Sequence, residues 1–329
     1  MIKIRFLNVG QGDSLILEWE NEGAMLYGII DAHIYDGVSP TLKYIESKSI
    51  ENIEFIILSH LHFDHFSAIA DLFEYFIANN IKVNYFCHTI APLVGDIYDK
   101  IYTTQALAAS IVRFFETYEK FDKHIKSLIH ISSSSKSIPL DDNTTLEFYA
   151  PDARIYEKMS IQLSRKRNIQ PTTHADINKL SCIIALENKT NAVILSADSV
   201  KMSFRMIRNL INKRVELIQI PHHGSRYNID EKFWSNLQKI KNAPAIISAG
   251  DEPKDKIPDK ETVEYFDKLG FKVYSTNPVY GIEEYFNLSV SSQKAVSASK
   301  KQNAFSRKVS TYSPYPNNRF SGDQVFDVL

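Results

Sequence analysis

His60-Leu-His62-Phe-Asp64-His65 brings three imidazoles and one carboxylate into six positions, directly after the apolar run Phe55-Ile-Ile-Leu58. Such groups bind zinc, manganese or iron through nitrogen and oxygen. The apolar run is short and rich in β-branched residues, so it reads as a buried strand. The segment after it leaves the core as an extended loop. Residues two apart then point the same way, so His60 and His62 face one side together. Asp64 and His65 follow where the chain turns, and reach a second point close by. This composition on the end of a core strand reads as a metal site.

Two metals held by one loop need further ligands from other strand ends, ideally a carboxylate that bridges them. Asp198 meets that description, because the apolar strand at 192–196 delivers it into a loop. The ordinary alternative for such a residue is a helix N-cap. In Pro221-His222-His223-Gly224-Ser225 two adjacent histidines again follow an apolar strand, at 215–220, and are assigned a metal or substrate role.

The elements that must carry these residues alternate along the chain. Strands are expected at 2–8, 14–18, 26–30 and 53–59, the third ending at Asp31-Ala-His33. Two glycines around Gln11 make the turn between the first two strands. A helix is expected at 39–48 and an amphipathic one at 66–78, then a strand at 82–88. Residues 96–129 read as a helical insertion with a core stripe of Leu107, Ile111, Phe114, Phe115, Tyr118 and Phe121. Further strands are expected at 145–149, 181–186, 192–196, 215–220, 244–249 and 271–275, with helices at 200–212, 230–240 and 259–269. The polar stretch 156–176 contains Arg165-Lys166-Arg167, either a solvated face or a phosphate-contacting loop. Alternating strands and helices with polar clusters at strand ends describe a layered α/β protein.

Composition agrees. The 329 residues are 44 % hydrophobic and 23 % charged, normal for a globular core, and the formal net charge of −1 provides no global basic field. Cys87 and Cys182 each lie inside an apolar run and read as buried thiols rather than a disulfide. The N-terminus lacks signal-peptide features, and no apolar run approaches the roughly 20 residues that span a bilayer. A soluble, cytoplasmic protein without membrane association is expected. Residues 287–329 are polar and basic and read as a tail, either flexible or docked, with apolar Val325-Phe326 and Val328-Leu329 as an anchor to the body or to a partner.

Taken together, these motifs resemble the metallo-β-lactamase fold hydrolases. His60-Leu-His62-Phe-Asp64-His65 matches their H-x-H-x-D-H motif, Asp198 their bridging aspartate, and His222-His223 their last ligand motif. Phe6-Leu-Asn-Val-Gly-Gln-Gly-Asp-Ser14 and Pro221-His-His-Gly-Ser225 narrow the resemblance to the hydrolase domain of bacterial competence (DNA-uptake channel) proteins, over residues 1–286. The resemblance implies an αβ/βα four-layer sandwich with the metals at one edge. It implies that His60 and His62 hold one divalent ion, that Asp64, His65 and His223 hold a second, and that Asp198 bridges them. Zinc is the first expectation for both ions and manganese the alternative. Asp64 and His222 would be the catalytic pair, Asp64 orienting the attacking group and His222 protonating the leaving group. The family's further histidine corresponds either to His174 or, through an Asn-x-x-Ser pattern with Ser181, to Asn178. The chain departs from the family at Phe66-Ser67, where glycines are common, and at His33. His33 and Asp13 sit on strand-end loops that approach the site, and Ser225 either contacts a phosphate or caps a helix.

The substrate implied is a phosphodiester in nucleic acid or a nucleotide, with Arg205, Arg208 and the basic tail as further support. Alternatives are a small ester, of the phosphorylcholine or lactone type, or a partner-binding component that docks through the tail or the helical insertion and keeps a vestigial metal core.

Overall fold

The computed structural model describes residues 1–90, 105–165, 177–250, 257–277 and 322–329. Two mixed sheets of seven strands each face one another. The first contains β1 (Ile2–Phe6), β2 (Leu15–Asn21), β3 (Ala24–Ile30), β4 (Ile53–Leu58), β5 (Val83–His88) and β6 (Ile125–His130). The second contains β7 (Ile138–Pro139), β8 (Thr145–Ala150), β9 (Ile183–Glu187), β10 (Asn191–Leu195), β11 (Arg214–Gln219), β12 (Pro244–Ile247) and β13 (Lys272–Ser275). The chain then returns to the first sheet, where β14 (Gln324–Val328) lies antiparallel beside β1. The sheet orders are β14-β1-β2-β3-β4-β5-β6 and β13-β12-β11-β10-β9-β8-β7. In both sheets one half pairs antiparallel and the other, from β3 to β6 and from β10 to β13, pairs parallel.

Side-chain alternation explains the layers. In β4, Phe55 and Ile57 point between the sheets, while Ile56 and Leu58 point out beneath helices. In β10, Val193 and Leu195 point inward, and Ala192 and Ile194 outward. Strands buried on both faces need apolar residues at every position, hence the unbroken runs. Helices Ile69–Ala78 and Gln105–Phe121 cover the first sheet, with the Phe73 and Phe121 rings stacked at 4.3 Å. Helices Lys201–Ile207, Glu231–Asn236 and Lys260–Lys268 lie on the other side, where Phe204, Phe233, Trp234 and Phe266 join the core against the second sheet. This is the expected αβ/βα four-layer sandwich. Cys87 and Cys182 are free thiols buried between its sheets.

Several expected boundaries move. The helix expected to 129 ends at Phe121, and Ile125–His130 is β6 instead. As an edge strand, β6 buries no residue fully, so its weak alternation does not stand out from the helical stripe before it. Residues 96–104 of the expected insertion and 166–176 of the expected polar stretch lie outside the described residues, as do 287–321 of the expected tail. The apolar end of that stretch lies on the body as a strand: Ile2 pairs with Val328 and Phe6 with Gln324. The helix expected at 230–240 covers only Glu231–Asn236, because Lys239 bridges to Val215 in the second sheet. No helix among the described residues is long and apolar enough to cross a membrane.

Two positions invite stability tests. Gly28 pairs with Phe55, and a Cβ there would stand 2.1 Å from the Phe55 ring, which itself stacks on Trp19. Gly28→Ala is expected to cost about 1–3 kcal/mol, because a close-packed core does not absorb an added methyl; an unchanged denaturant midpoint would refute this. Asp230 accepts from the Phe233 N–H at the start of its helix and pairs with Arg205 and Arg208. Burial opposes its charge, but Arg208 and the Phe233 N–H outweigh that and hold its pKa below the ordinary carboxylate value. A depressed pKa means stability present at neutral pH and lost as pH falls through the folded value. Asp230→Ala is expected to cost about 1–2 kcal/mol at pH 7. The gap from wild type should close below about pH 4 in urea titrations across pH.

Candidate metal centre

The chemistry-bearing residues gather where strands β3, β4, β10 and β11 end. β4 releases Ser59 and His60; His62 stands before the short helix Phe63–Phe66, which carries Asp64 and His65. β10 releases Asp198, and β11 releases His222 and His223. Asp31, Ala197, His222 and His223 all have left-handed backbone, with φ of 56°, 41°, 49° and 51°. Non-glycine residues there cost about 1–3 kcal/mol each, and such strain gathers at functional sites.

Two donor groups meet at Asp198. In the first, His60 Nε2 and His62 Nδ1 are 3.0 Å apart, and Asp198 Oδ2 lies 3.9 Å from His60 Nε2. In the second, His65 Nε2 and His223 Nε2 are each 3.5 Å from Asp198 Oδ1, and His223 Nε2 is 3.3 Å from Asp64 Oδ2. Ligands about 2.1 Å from one tetrahedral ion stand about 3.4 Å from each other, so both groups have the spacing of a cation's first shell. The two oxygens of Asp198 divide between the groups, as a bridging carboxylate requires.

The donor set also fits a cation chemically. His65 Nε2, His223 Nε2 and Asp198 Oδ1 are buried without hydrogen-bond partners, which is costly unless something positive is held there. The field points the same way. Burial opposes charge on His65, yet Asp198, Asp31 and Asp64 outweigh it and raise its pKa well above the ordinary value. His223, also opposed by burial but beside Asp198 and Asp64, is raised to about 9. Burial and the neighbouring His65 and His62 drive His60 the other way. Asp198 is held far below the usual carboxylate range by His222, His223 and His65, against its burial.

Residues behind the donors set their orientation. Asp31 is fully buried and accepts from His65 Nδ1 at 2.7 Å, leaving Nε2 bare toward the donor group. It also accepts from the Ser59 N–H and hydroxyl, and Ser59 Oγ lies 3.0 Å from His60 Nδ1. With the Ser59 proton spent on Asp31, His60 donates to Ser59 and presents a bare Nε2. One carboxylate thus orients ligands of both groups. His223 Nδ1 donates to the Ser248 carbonyl at 2.9 Å. Asp198 has its N–H on Ser181 Oγ, and its carbonyl accepts from Asn228.

The structure brings together every residue assigned as a ligand: His60, His62, Asp64, His65, Asp198 and His223. His222 stands at the rim, 28 % exposed, with Nε2 3.5 Å from Asp198 Oδ2. His174 lies outside the described residues. Asn178 is buried in a short turn, and its Asn-x-x-Ser partner Ser181 is the residue that touches Asp198. His33 and Ser67, the two departures from the family pattern, prove to be one feature: their side chains hydrogen-bond at 2.8 Å, and burial pushes His33 down to about 4. Gly12 has no room for a Cβ, which would meet Asp64 O at 2.6 Å and His33 at 2.7 Å. Ser225 is buried and makes no side-chain cap. Arg205 and Arg208, expected to meet phosphate, are instead drawn to Asp230. Asp31, Ser59, Gln219 and Asn228 were not anticipated. For Asp31 a signal existed: like Asp198, it is an aspartate delivered by an apolar strand.

Two sheets between helical layers, with a His/Asp cluster at one edge, define the metallo-β-lactamase fold. The model of the metallo-beta-lactamase superfamily matches residues 14–100 of this chain, which contain the His60–His65 motif. The chain is similar to the metallo-beta-lactamase fold protein YhfI from Bacillus subtilis, at 12 % identity and TM-score 0.42, covering 84 % of this chain and 95 % of that one. It is similar to Zn(2+)-bound PqqB from Methylobacterium extorquens, at 8 % identity and TM-score 0.44, covering 84 % and 98 %. A diphosphatase from the PhnP family is similar at 11 % identity and TM-score 0.37, covering 84 % and 86 %. No curated protein matches the chain in sequence. The narrower likeness to competence-protein hydrolase domains rests on the sequence motifs alone.

Proposed function

We propose that the chain is a metal-dependent hydrolase that holds two divalent ions and cleaves a phosphodiester, in nucleic acid or a nucleotide. The observation that carries the hydrolase reading is Asp198, whose oxygens face two separate donor groups within 3.5 and 3.9 Å. His60, His62 and Asp198 would hold one ion, and Asp64, His65, His223 and Asp198 the other. Ions bound there supply Lewis acidity and an activated water for attack at phosphorus or carbonyl. The chain's own groups do the rest. Asp64, with its side chain 31 % exposed, faces the open side and orients the attacking group. His222, also partly open and beside Asp198, is positioned to hand a proton from Nε2 to the leaving group. The phosphodiester class is supported by the Phe6–Ser14 and Pro221–Ser225 motifs.

One observation favours the small-ester alternative: Arg205 and Arg208 are engaged with Asp230, which removes two cations that a nucleic-acid backbone would use. Purified protein with zinc or manganese, assayed on a generic phosphodiester, single-stranded and duplex DNA, a cyclic nucleotide, phosphorylcholine and a lactone, separates the readings. Turnover of phosphodiesters, abolished in Asp64→Ala, is expected. Turnover of the lactone alone would overturn the phosphodiester class and keep the hydrolase. Fewer than one metal per chain, with function unaffected by His62→Ala, would favour the partner-binding component.

A further inference from the structure

The donor groups depend on two loops from different sheets, so their separation is set by whatever ties those loops together. The first sheet supplies Asp64 and His65, and the second supplies Asp198. Gln219, the last residue of β11, is buried, and its Oε1 accepts the N–H groups of both Ser196 and Ala197, the two residues before Asp198. Its main-chain oxygen accepts from the Ser196 hydroxyl. Its Nε2 donates to Asp13 Oδ2 at 2.8 Å, across to the first sheet. Asp13 in turn donates its own N–H to the Asp64 carbonyl at 3.0 Å, and its carboxylate lies 3.7 Å from His65 Nδ1. Gln219 also stands two residues before Pro221, which opens the His222–His223 turn. A small cavity lined by Asp13, Asp31, Ser59, Ala197 and Gln219 lies at this junction.

We propose that Gln219 is a positioning residue: through its hydrogen bond to Asp13 it sets the distance between the two ligand loops and hence the geometry of the second ion's site. This rests on the reading of the cluster as a metal centre. A ligand loop displaced by a fraction of an ångström loses affinity, so the tie belongs to the site and not only to the fold.

Reversing donor and acceptor across the pair provides the test. Full-length wild type, Gln219→Glu, Asp13→Asn and the double variant are titrated with zinc against a chromophoric chelator, and their cobalt(II) forms are compared by visible absorption. Gln219→Glu sets two carboxylates face to face; weaker binding of the second ion by about 10–100-fold and an altered cobalt spectrum are expected. In the double variant the amide stands at position 13 and the carboxylate at 219. Both N–H groups before Asp198 keep an acceptor, so affinity should return to within roughly threefold of wild type with the original spectrum. Wild-type affinity and spectrum in Gln219→Glu, or no recovery in the double variant, would overturn the proposal. Should Gln219→Glu not fold, Gln219→Leu, which lacks all three side-chain hydrogen bonds, must show the same loss, and unchanged affinity there overturns it equally. A wild-type chain that binds no metal would overturn the metal centre itself, a failure distinct from variants that bind as well as a metal-loaded wild type.

Discussion

If the chain is the two-ion hydrolase proposed above, Asp198→Asn is expected to reduce bound metal to one ion or none, and to slow hydrolysis by about a thousandfold, about 4 kcal/mol of transition-state stabilisation. The reason lies in the division of its oxygens. Oδ2 faces His60 and His222, while Oδ1 faces His65 and His223. An asparagine offers one oxygen in place of two, and its amide would turn a hydrogen-bond donor toward imidazole nitrogens that must stay bare for a cation. It also removes a charge from the centre of the cluster, where burial makes every charge count for more than it does in water. The Ser181 hydrogen bond to the Asp198 N–H and the Asn228 bond to its carbonyl are untouched, so the loop itself should persist. Elemental analysis and turnover numbers on the folded variant provide the check. Two tightly held ions with wild-type turnover would show that Asp198 is a loop residue and not a bridge.

Asp31→Asn is expected to weaken metal binding by about 10–100-fold without touching a ligand, the usual cost of losing a carboxylate behind a ligating histidine. The carboxylate accepts from three donors, His65 Nδ1, Ser59 N–H and Ser59 hydroxyl. An amide oxygen at the Oδ2 position still serves His65 Nδ1 and the Ser59 hydroxyl but sets the N–H₂ against the Ser59 N–H, and the reverse orientation sets it against His65 Nδ1; either way a neutral acceptor holds the His65 tautomer less firmly than the carboxylate does. Because Ser59 passes the effect to His60, binding at both donor groups should be affected, whereas Ser59→Ala should weaken chiefly binding at the group of His60 and His62. Chelator competition at fixed pH distinguishes the two patterns, and equal zinc affinities in wild type and Asp31→Asn would refute the role assigned to this residue.

Much of the candidate site was legible in one dimension because its donor residues are short-range signals. His60, His62, Asp64 and His65 lie within one turn of chain after a core strand, and that strand announces itself by hydrophobicity alone. Asp198 and His222-His223 carry the same mark, a polar group immediately following an apolar run. The layered α/β class follows from the same alternation of strands and helices. What no stretch of sequence carried is the pairing between distant segments. Asp31 and Gln219 look like any polar residue at a strand end until the sheets bring them within 2.7 Å of His65 and 2.8 Å of Asp13. Arg205 and Arg208 read as phosphate contacts until Asp230 lies between them and takes both. Residues 324–328 look like a tail until β1 offers them an open edge to pair with. The supply of donor groups is a matter of residue type and local spacing, which the chain states directly. Orientation, hydrogen-bond partner and edge pairing arise between segments hundreds of residues apart, such as Gln219 and Asp13, and come into being only when burial forces those polar groups to satisfy one another.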